Sequence, residues 1–319
     1  MTKRRQQRPR RGITVLAGGI GGSRFLQGLV QVIAPDDLTV VVNTGDDEEF
    51  YGLQVSPDPD IITYALAGLV DEERGWGFRG DTFRWLEAMG RLGHQTWFRI
   101  GDRDLAIHLH RSRLLREGKA LSAATADIAR RFRVRAHLIP MSDGRVRTLV
   151  TTDAGPLPFQ EYLVKRGARD PVRSVTYESA AEAQPAPGVL EAIRTAAGVV
   201  IAPSNPVGSI GPILALPGAL AALRETEARV AAISPVVSGR AFQPPTDAMM
   251  RGLGVEVSAL GVARLYREFL DVLILDEEDA GLAGGIRALG IEPVVTNTVM
   301  RGAADKRALA EATLAALGC

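Results

Sequence analysis

Apolar positions along the chain fall into short unbroken runs instead of strict alternation. "ITVLA", from Ile13 to Ala17, reads as a buried strand. It leads through glycines into "FLQGLVQVI", where Phe25, Leu26, Leu29, Val32 and Ile33 share one face of a helix. A second run, "LTVVVN", follows, and further β-branched runs recur in "GVVIAPSNP", "ARVAAISP", "DVLILDEED" and "IEPVVTNT". Helical patterns separate most of them, as in "PGVLEAIRTA" and "KRALAEATLAAL". Apolar strands alternating with helices predict an α/β fold, a Rossmann-like doubly wound parallel sheet covered on both faces.

The middle of the chain departs from this rhythm. Residues from about Tyr64 to Arg131 read as mostly helical, while "RVRTLVTT" and "RSVTYE" read as short strands. The expected organisation is therefore a basic leader at 1–11, a core made of 12–63 and 187–319, and an inserted, mainly helical elaboration at 64–186. "AAEAQPAPG", with two prolines and a glycine, is the linker candidate.

In such sheets ligands bind beyond the carboxyl ends of the strands, so the loops there carry the chemistry. The first, "AGGIGGSRF", supplies Gly18, Gly19, Gly21 and Gly22 at a helix start. Glycines let backbone amides approach an anion closely, which predicts a phosphate site; a tight strand-to-helix turn is the plainer reading. The dinucleotide fingerprint G-x-G-x-x-G is half met, because Arg24 occupies the third glycine position and Asn43 the place of the ribose-binding acid. No Gly-Lys-Ser/Thr occurs, and there are four lysines in all. Nicotinamide and Walker-type readings are disfavoured.

The second loop, "NTGDDEEFYGLQVSPDPD", gathers Asp46, Asp47, Glu48, Glu49, Asp58 and Asp60. If the first two strands are neighbours, these acids sit beside the proposed phosphate site. Two anionic groups meet only with a cation between them, which predicts Mg²⁺ with Asp46, Asp47, Asp58 and Asp60 as candidate ligands. Asp60 has the alternative of capping the following helix, and Glu48 and Glu49 that of a solvated loop edge.

Charge and composition narrow the function classes further. The net charge of +1 hides a polarity: Lys3, Arg4, Arg5, Arg8, Arg10 and Arg11 crowd the leader, leaving 32 basic against 37 acidic residues elsewhere. A mildly acidic body argues against a nucleic-acid surface. The leader has no apolar segment, and no apolar run approaches the ~20 residues that span a bilayer. The single cysteine, Cys319, excludes an intrachain disulfide and makes the cytoplasm the expected compartment.

Three other loops qualify as binding elements. "IGDRDLAIHLHRS" puts Asp102, Arg103 and Asp104 at a helix start, with Arg103 a candidate anion contact. "APSNPVGSIGPIL" presents Ser204, Asn205 and Ser209 after another strand, and "ISPVVSG" repeats that chemistry. His108 and His110, two apart, face different sides of a helix and make a poor zinc pair; at least one reads as packing.

Taken together, "GGIGGSRFLQGL", "VVNTGDD", "SPDPD", "RGWGFRGDT", "IGDRDLAIHLHRS", "PMSD", "APSNPVGSIGPI" and "SPVVSG" resemble the 2-phospho-L-lactate transferase family, which completes the core of the deazaflavin coenzyme F-420. They run in order from residue 13 to beyond 240, and "GVEVSALGVARLYREFLDVLILDEED" extends the match. The resemblance implies transfer of a 2-phospholactyl or phosphoenolpyruvyl group from a guanosine diphosphate (GDP)-linked donor to the ribityl hydroxyl of the deazaflavin Fo, with guanosine monophosphate (GMP) released. It also implies a homodimer, and Asp60 and Arg99 as contacts to Fo. Such phosphoryl chemistry needs charge neutralisation and in-line positioning more than a nucleophilic side chain. If a side chain serves as general base, Asp46 or Asp60 is the candidate. Where the family commonly has Leu-Asp-Thr, this chain has Pro59, Asp60 and Ile61, which keeps the carboxylate and removes a hydroxyl. The alternative is a non-catalytic nucleotide-sugar-binding regulatory protein of a sister group; that group carries a Gly/Ser-rich "DDGGSSG"-like loop where this chain has "DDEEFYGLQVSPD".

Overall fold

A computed structural model describes residues 12–319; the expected basic leader at 1–11 lies outside the described residues. The central sheet has seven strands: β1 Ile13–Ala17, β2 Leu38–Val42, β3 His137–Pro140, β4 Gly198–Ile201, β5 Arg229–Ile233, β6 Val272–Leu275 and β7 Glu292–Val295. Their spatial order is β7-β6-β5-β4-β1-β2-β3, and every adjacent pair is parallel. The expected doubly wound sheet is present. Alternate residues of β1 feed opposite cores: Leu16 packs with Val41 and Val199 on one face, while Val15 and Ala17 pack with Val40 and Val200 on the other. Burial on both faces is why the strands read as continuous apolar runs.

The first helix, α1 (Gly19–Leu29), leaves β1 directly and packs between α2 (Pro57–Leu66) and the last helix, Ala303–Leu317. Residues 64–186 hold α3 (Arg84–Arg91), α4 (Asp102–Arg116), α5 (Leu121–Arg131) and a three-stranded antiparallel sheet built from Arg147–Thr152, Gly155–Pro158 and Ser174–Glu178. This stretch is not one excursion from the core, because β3 lies within it and forms the sheet's edge. "HLIP" has one β-branched residue and ends in proline, which an edge position tolerates but which hides the strand from pattern reading.

Two features of the sheet locate the site. Ala17 pairs with Val42, and Leu16 with Ile201, so the loops after β1, β2 and β4 emerge side by side. The chain runs outward one way from β1 and the other way from β4, which makes their carboxyl ends the topological switch point. Among the described residues, no single helix is long and apolar enough to cross a membrane.

Candidate active site

A cavity of about 500 Å³ opens at this switch point. Gly18, Gly19 and Gly21 line it from the first loop, Asp46, Asp58 and Asp60 from the acidic loop, and Ser204, Asn205 and Ser209 from the loop after β4. The glycine and serine loops are tied together: Gly18 N–H donates to Ser204 Oγ at 3.2 Å, and that hydroxyl donates to Gly18 O at 2.7 Å. The approach is close enough that a Cβ on Gly21 would lie 2.0 Å from Pro203 O. Gly19 has φ +65°, a conformation that side chains resist. Gly22 does not line the cavity; a Cβ there would meet Ser204 Oγ at 2.8 Å. Asn205 shapes its own loop by accepting from Val207 N–H and Gly208 N–H at 3.0 and 2.9 Å.

Local turn chemistry delivers the acids. Asn43 Oδ1 accepts from Gly45 N–H at 2.8 Å, a side-chain-closed turn that swings Asp46 towards the cavity. A hairpin of Glu48–Phe50 and Leu53–Val55 follows, its two-residue turn made by Tyr51 and Gly52, both at positive φ. Proline at the first helical position then starts α2, with Ser56 as N-cap, so Asp60 is not the capping residue. From the first turn of α2, Asp58 Oδ1 accepts from Gly19 N–H at 2.8 Å. Asn43 Nδ2 donates to Asp58 Oδ2 at 2.9 Å and to Asp46 Oδ1 at 3.2 Å, bridging the two carboxylates. Gln160 Nε2 donates to the other Asp46 oxygen at 2.8 Å.

All these donors are neutral, and the electrostatics record it. Burial, then the charges of Asp58 and Asp47, hold Asp46 well above the usual carboxylate range. Burial pushes Asp58 up to about 6 against the hydrogen bonds from Asn43 and Gly19. Asp47 does not line the cavity: its Oδ2 accepts from Ser56 Oγ at 2.5 Å and Gln54 Nε2 at 3.2 Å, and its buried Oδ1 has no partner. Burial pushes it up to about 8, with Ser56 opposing.

Asp60 lies in different company. Arg111, from α4, grips both its oxygens, one at 3.1 Å, and His108 Nδ1 is 3.6 Å away. His108 Nε2 is 3.4 Å from Asp104 Oδ1, which also accepts from Tyr64 OH at 2.5 Å. Asp60, Asp104 and His108 offer ligand atoms within 4.8 Å of one another, a set able to hold a metal ion. His110 turns away to Asp127 at 2.8 Å. Arg99 lines the cavity with its guanidinium 4.3 Å over the Phe83 ring. Arg103 does not reach the cavity; its N–H bonds Asp81 and its guanidinium points to Arg79 O at 3.4 Å.

Sequence reading missed Asn43, Gln160, Tyr64, His108 and Arg111. A signal existed for the last two, since Asp104, His108, Arg111 and Ser112 fall on one helical face while Leu109 is exposed. Gln160, more than a hundred residues from its partner Asp46, left none.

Comparison with known proteins identifies the family. Residues 13–309 match the family described as 2-phospho-L-lactate transferase CofD. A 2-phospho-L-lactate transferase of Methanothermobacter thermautotrophicus is 41% identical over 302 residues, covering 95% of this chain and 97% of its own. A phosphoenolpyruvate transferase of Streptomyces griseus is 42% identical over 308 residues, covering 93% and 97%. Among solved structures, a Bacillus halodurans protein described as a member of the upf0052 family shares the fold at TM-score 0.62 and 18% identity, covering 96% and 99%. The chain belongs to the 2-phospho-L-lactate transferase CofD family and is a transferase of that type.

Proposed function

We propose that the protein transfers a 2-phospholactyl or phosphoenolpyruvyl group from a GDP-linked donor to the ribityl hydroxyl of Fo, forming coenzyme F-420-0 or its dehydro form. The hydroxyl oxygen bonds to the phosphorus that bears the three-carbon group. The bond from that phosphorus to GMP breaks, and the hydroxyl proton leaves. The observation that carries the reading is the meeting of two uncompensated carboxylates, Asp46 and Asp58, with a glycine loop at the switch point.

Mg²⁺ fits that pair. It is a hard cation suited to one or two carboxylates plus phosphate oxygens, and when bound it neutralises charge on the diphosphate. Asp46 and Asp58 would hold it. Asp47, which does not line the cavity, and Asp60, gripped by Arg111, suit it less. The Asp60, Asp104 and His108 set already has the Arg111 guanidinium as its cation.

On this reading the glycine loop of Gly18, Gly19 and Gly21, with Ser204, Asn205 and Ser209, walls the subsite of the donor's diphosphate. Asp60 and Arg99 meet the acceptor. The aromatic planes of Trp76, Trp97 and Phe98, which line the same cavity, suit a flat deazaflavin ring. Relatives named for either three-carbon group are about equally similar, so the donor is decided by assay. Purified protein incubated with Fo, Mg²⁺ and each donor should yield GMP and a heavier deazaflavin by mass spectrometry. No GMP with any donor would refute the reading.

A further inference from the structure

The buried face of α4 is ionic where a helix in a core is ordinarily apolar. Asp104, His108 and Arg111 stand at i, i+4 and i+7 and turn inward with Ser112, whereas Leu109 is 49% exposed. Arg111 is 1% exposed, the largest side chain among the fully buried ones. Stability does not explain such a stripe. Replacing buried ion pairs by apolar residues of similar volume is often neutral or stabilising.

Geometry shows what the stripe does. Arg111 uses its two terminal nitrogens on the two oxygens of Asp60, a forked grip that fixes the plane of the carboxylate. Its Nη1 is also 3.3 Å from His108 Nδ1 and 3.5 Å from Gln54 O. His108 in turn sits against Asp104, which Tyr64 of α2 anchors. Ser112 Oγ accepts from Gln54 N–H at 2.8 Å, pinning α4 to the hairpin within the acidic loop. Asp60 is thus held from behind by a chain of contacts running α2–α4–α2. A carboxylate has about four acceptor sites, and the fork takes two. The rest remains for a donor in the cavity that Asp60 lines.

We propose that Arg111, backed by His108 and Asp104, is a positioning residue for the acceptor: it fixes the Asp60 carboxylate in the one orientation that receives a hydrogen bond from the acceptor. The inference rests on the proposed placement of Fo at Asp60. Arg111 touches neither substrate and acts through Asp60 alone. Lysine cannot replace it, because a single ammonium has no planar fork.

The test compares Arg111→Met, Arg111→Lys, Asp60→Asn and the double variant Asp60→Asn/Arg111→Met, with the GDP-induced thermal shift as the check of folding. Each Arg111 variant should raise KM for Fo by about tenfold or more and leave KM for the donor within about twofold. The double variant should be no worse towards Fo than Asp60→Asn alone, since the two residues act as one unit. If Arg111→Met fails to fold, Arg111→Lys and the charge-balanced double variant carry the same comparison. Wild-type KM for Fo in either Arg111 single variant, beside a damaged Asp60→Asn, overturns this inference and leaves the proposed function standing. Wild-type Fo kinetics in Asp60→Asn would instead remove the acceptor from Asp60 and take the inference with it.

Discussion

Asp46 and Asp58 on one side of the cavity, and Asp60 and Asp104 on the other, are alike in charge and close in burial, yet the chain treats them differently. The first pair is held by an asparagine amide, a glutamine amide and a backbone N–H. The second encloses a guanidinium and an imidazole. Neutral donors orient a carboxylate without cancelling its charge, so burial and mutual repulsion lift Asp46 far from its ordinary value. Around Asp60 burial still holds the carboxyl above its usual range against the pull of Arg111 and His108, whereas around Asp104 contact with His108 and Tyr64 outweighs burial and the carboxyl ends below the usual range. The difference separates two tasks. On the proposed reading, a pair completed inside the chain is a fixed wall, and a pair left incomplete is the seat for a cation that arrives with the substrate.

The strongest attempt to break this contrast is to remove charge from the incomplete pair. Asp46→Asn or Asp58→Asn should lower turnover by well over ~10², the scale of losing a key electrostatic group in a water-poor site. EDTA should silence the wild type, and Mg²⁺ should restore it. Near-normal turnover in both variants, or full activity in EDTA, would erase the distinction between the pairs.

How much of this was legible beforehand depends on what each feature looks like in one dimension. The β-branched runs of β1, β2 and β4 announce strands buried on both faces, and the glycine and acidic loops fall just after two of them. Asp46, Asp58 and Asp60 were therefore accessible to reading. The partners that distinguish them were not. Arg111 sits in a charged helix, "DRDLAIHLHRSRLLR", where charge ordinarily means a solvated face, and only the inverted position of Leu109 betrays the buried stripe. Asn43 stood out as a missing acid; its value as a bridge between two acids appears only when α2 folds back.

A second effect concerns the backbone that carries the incomplete pair. Gly21→Val would drive a β-branched side chain into Pro203 O, only 2.0 Å from where its Cβ would sit, and would part the glycine loop from the Ser204 loop. GDP at a hundred times its Kd should stabilise the wild type by about 2.7 kcal/mol and the variant hardly at all. Equal stabilisation of both would detach the diphosphate from the glycine loop and move it towards Asn205.

A smaller, graded effect should appear as pH dependence. In metal-free protein burial places Asp58 at about 6 and Asp47 at about 8, with Asp46 raised as well. Unfolding returns these carboxyls to about 4. Between those values the native state binds protons that the unfolded chain has released, so their contribution is full below about pH 4 and lost as pH rises through 6 and then 8. The melting temperature in EDTA should fall from pH 5 to pH 8.5. Mg²⁺ should flatten the part owed to Asp46 and Asp58 and leave the Asp47 step. A profile in EDTA that does not fall would mean the first pair is already neutralised.

The smallest expected effect uses two arginines on one helix. Arg111 and Arg113 both pair with a carboxylate, but the Arg113 bridge to Glu117 is a surface i,i+4 contact at 2.7 Å, with side chains 75% and 46% exposed. Water solvates both partners whether or not they touch, and holding two long side chains together costs rotamer freedom, so such a pair contributes little. Arg113→Met should leave the melting temperature within about 1 °C and the KM for both substrates unchanged. Arg111→Met, two residues away, removes the guanidinium that grips Asp60 and strands a buried carboxylate; its penalty should be large and, in kinetics, confined to the acceptor. A matched loss in the two variants would mean that α4 answers to total charge alone. The completed pair would then be a consequence of helix electrostatics, and the wall it forms would have no claim on the acceptor.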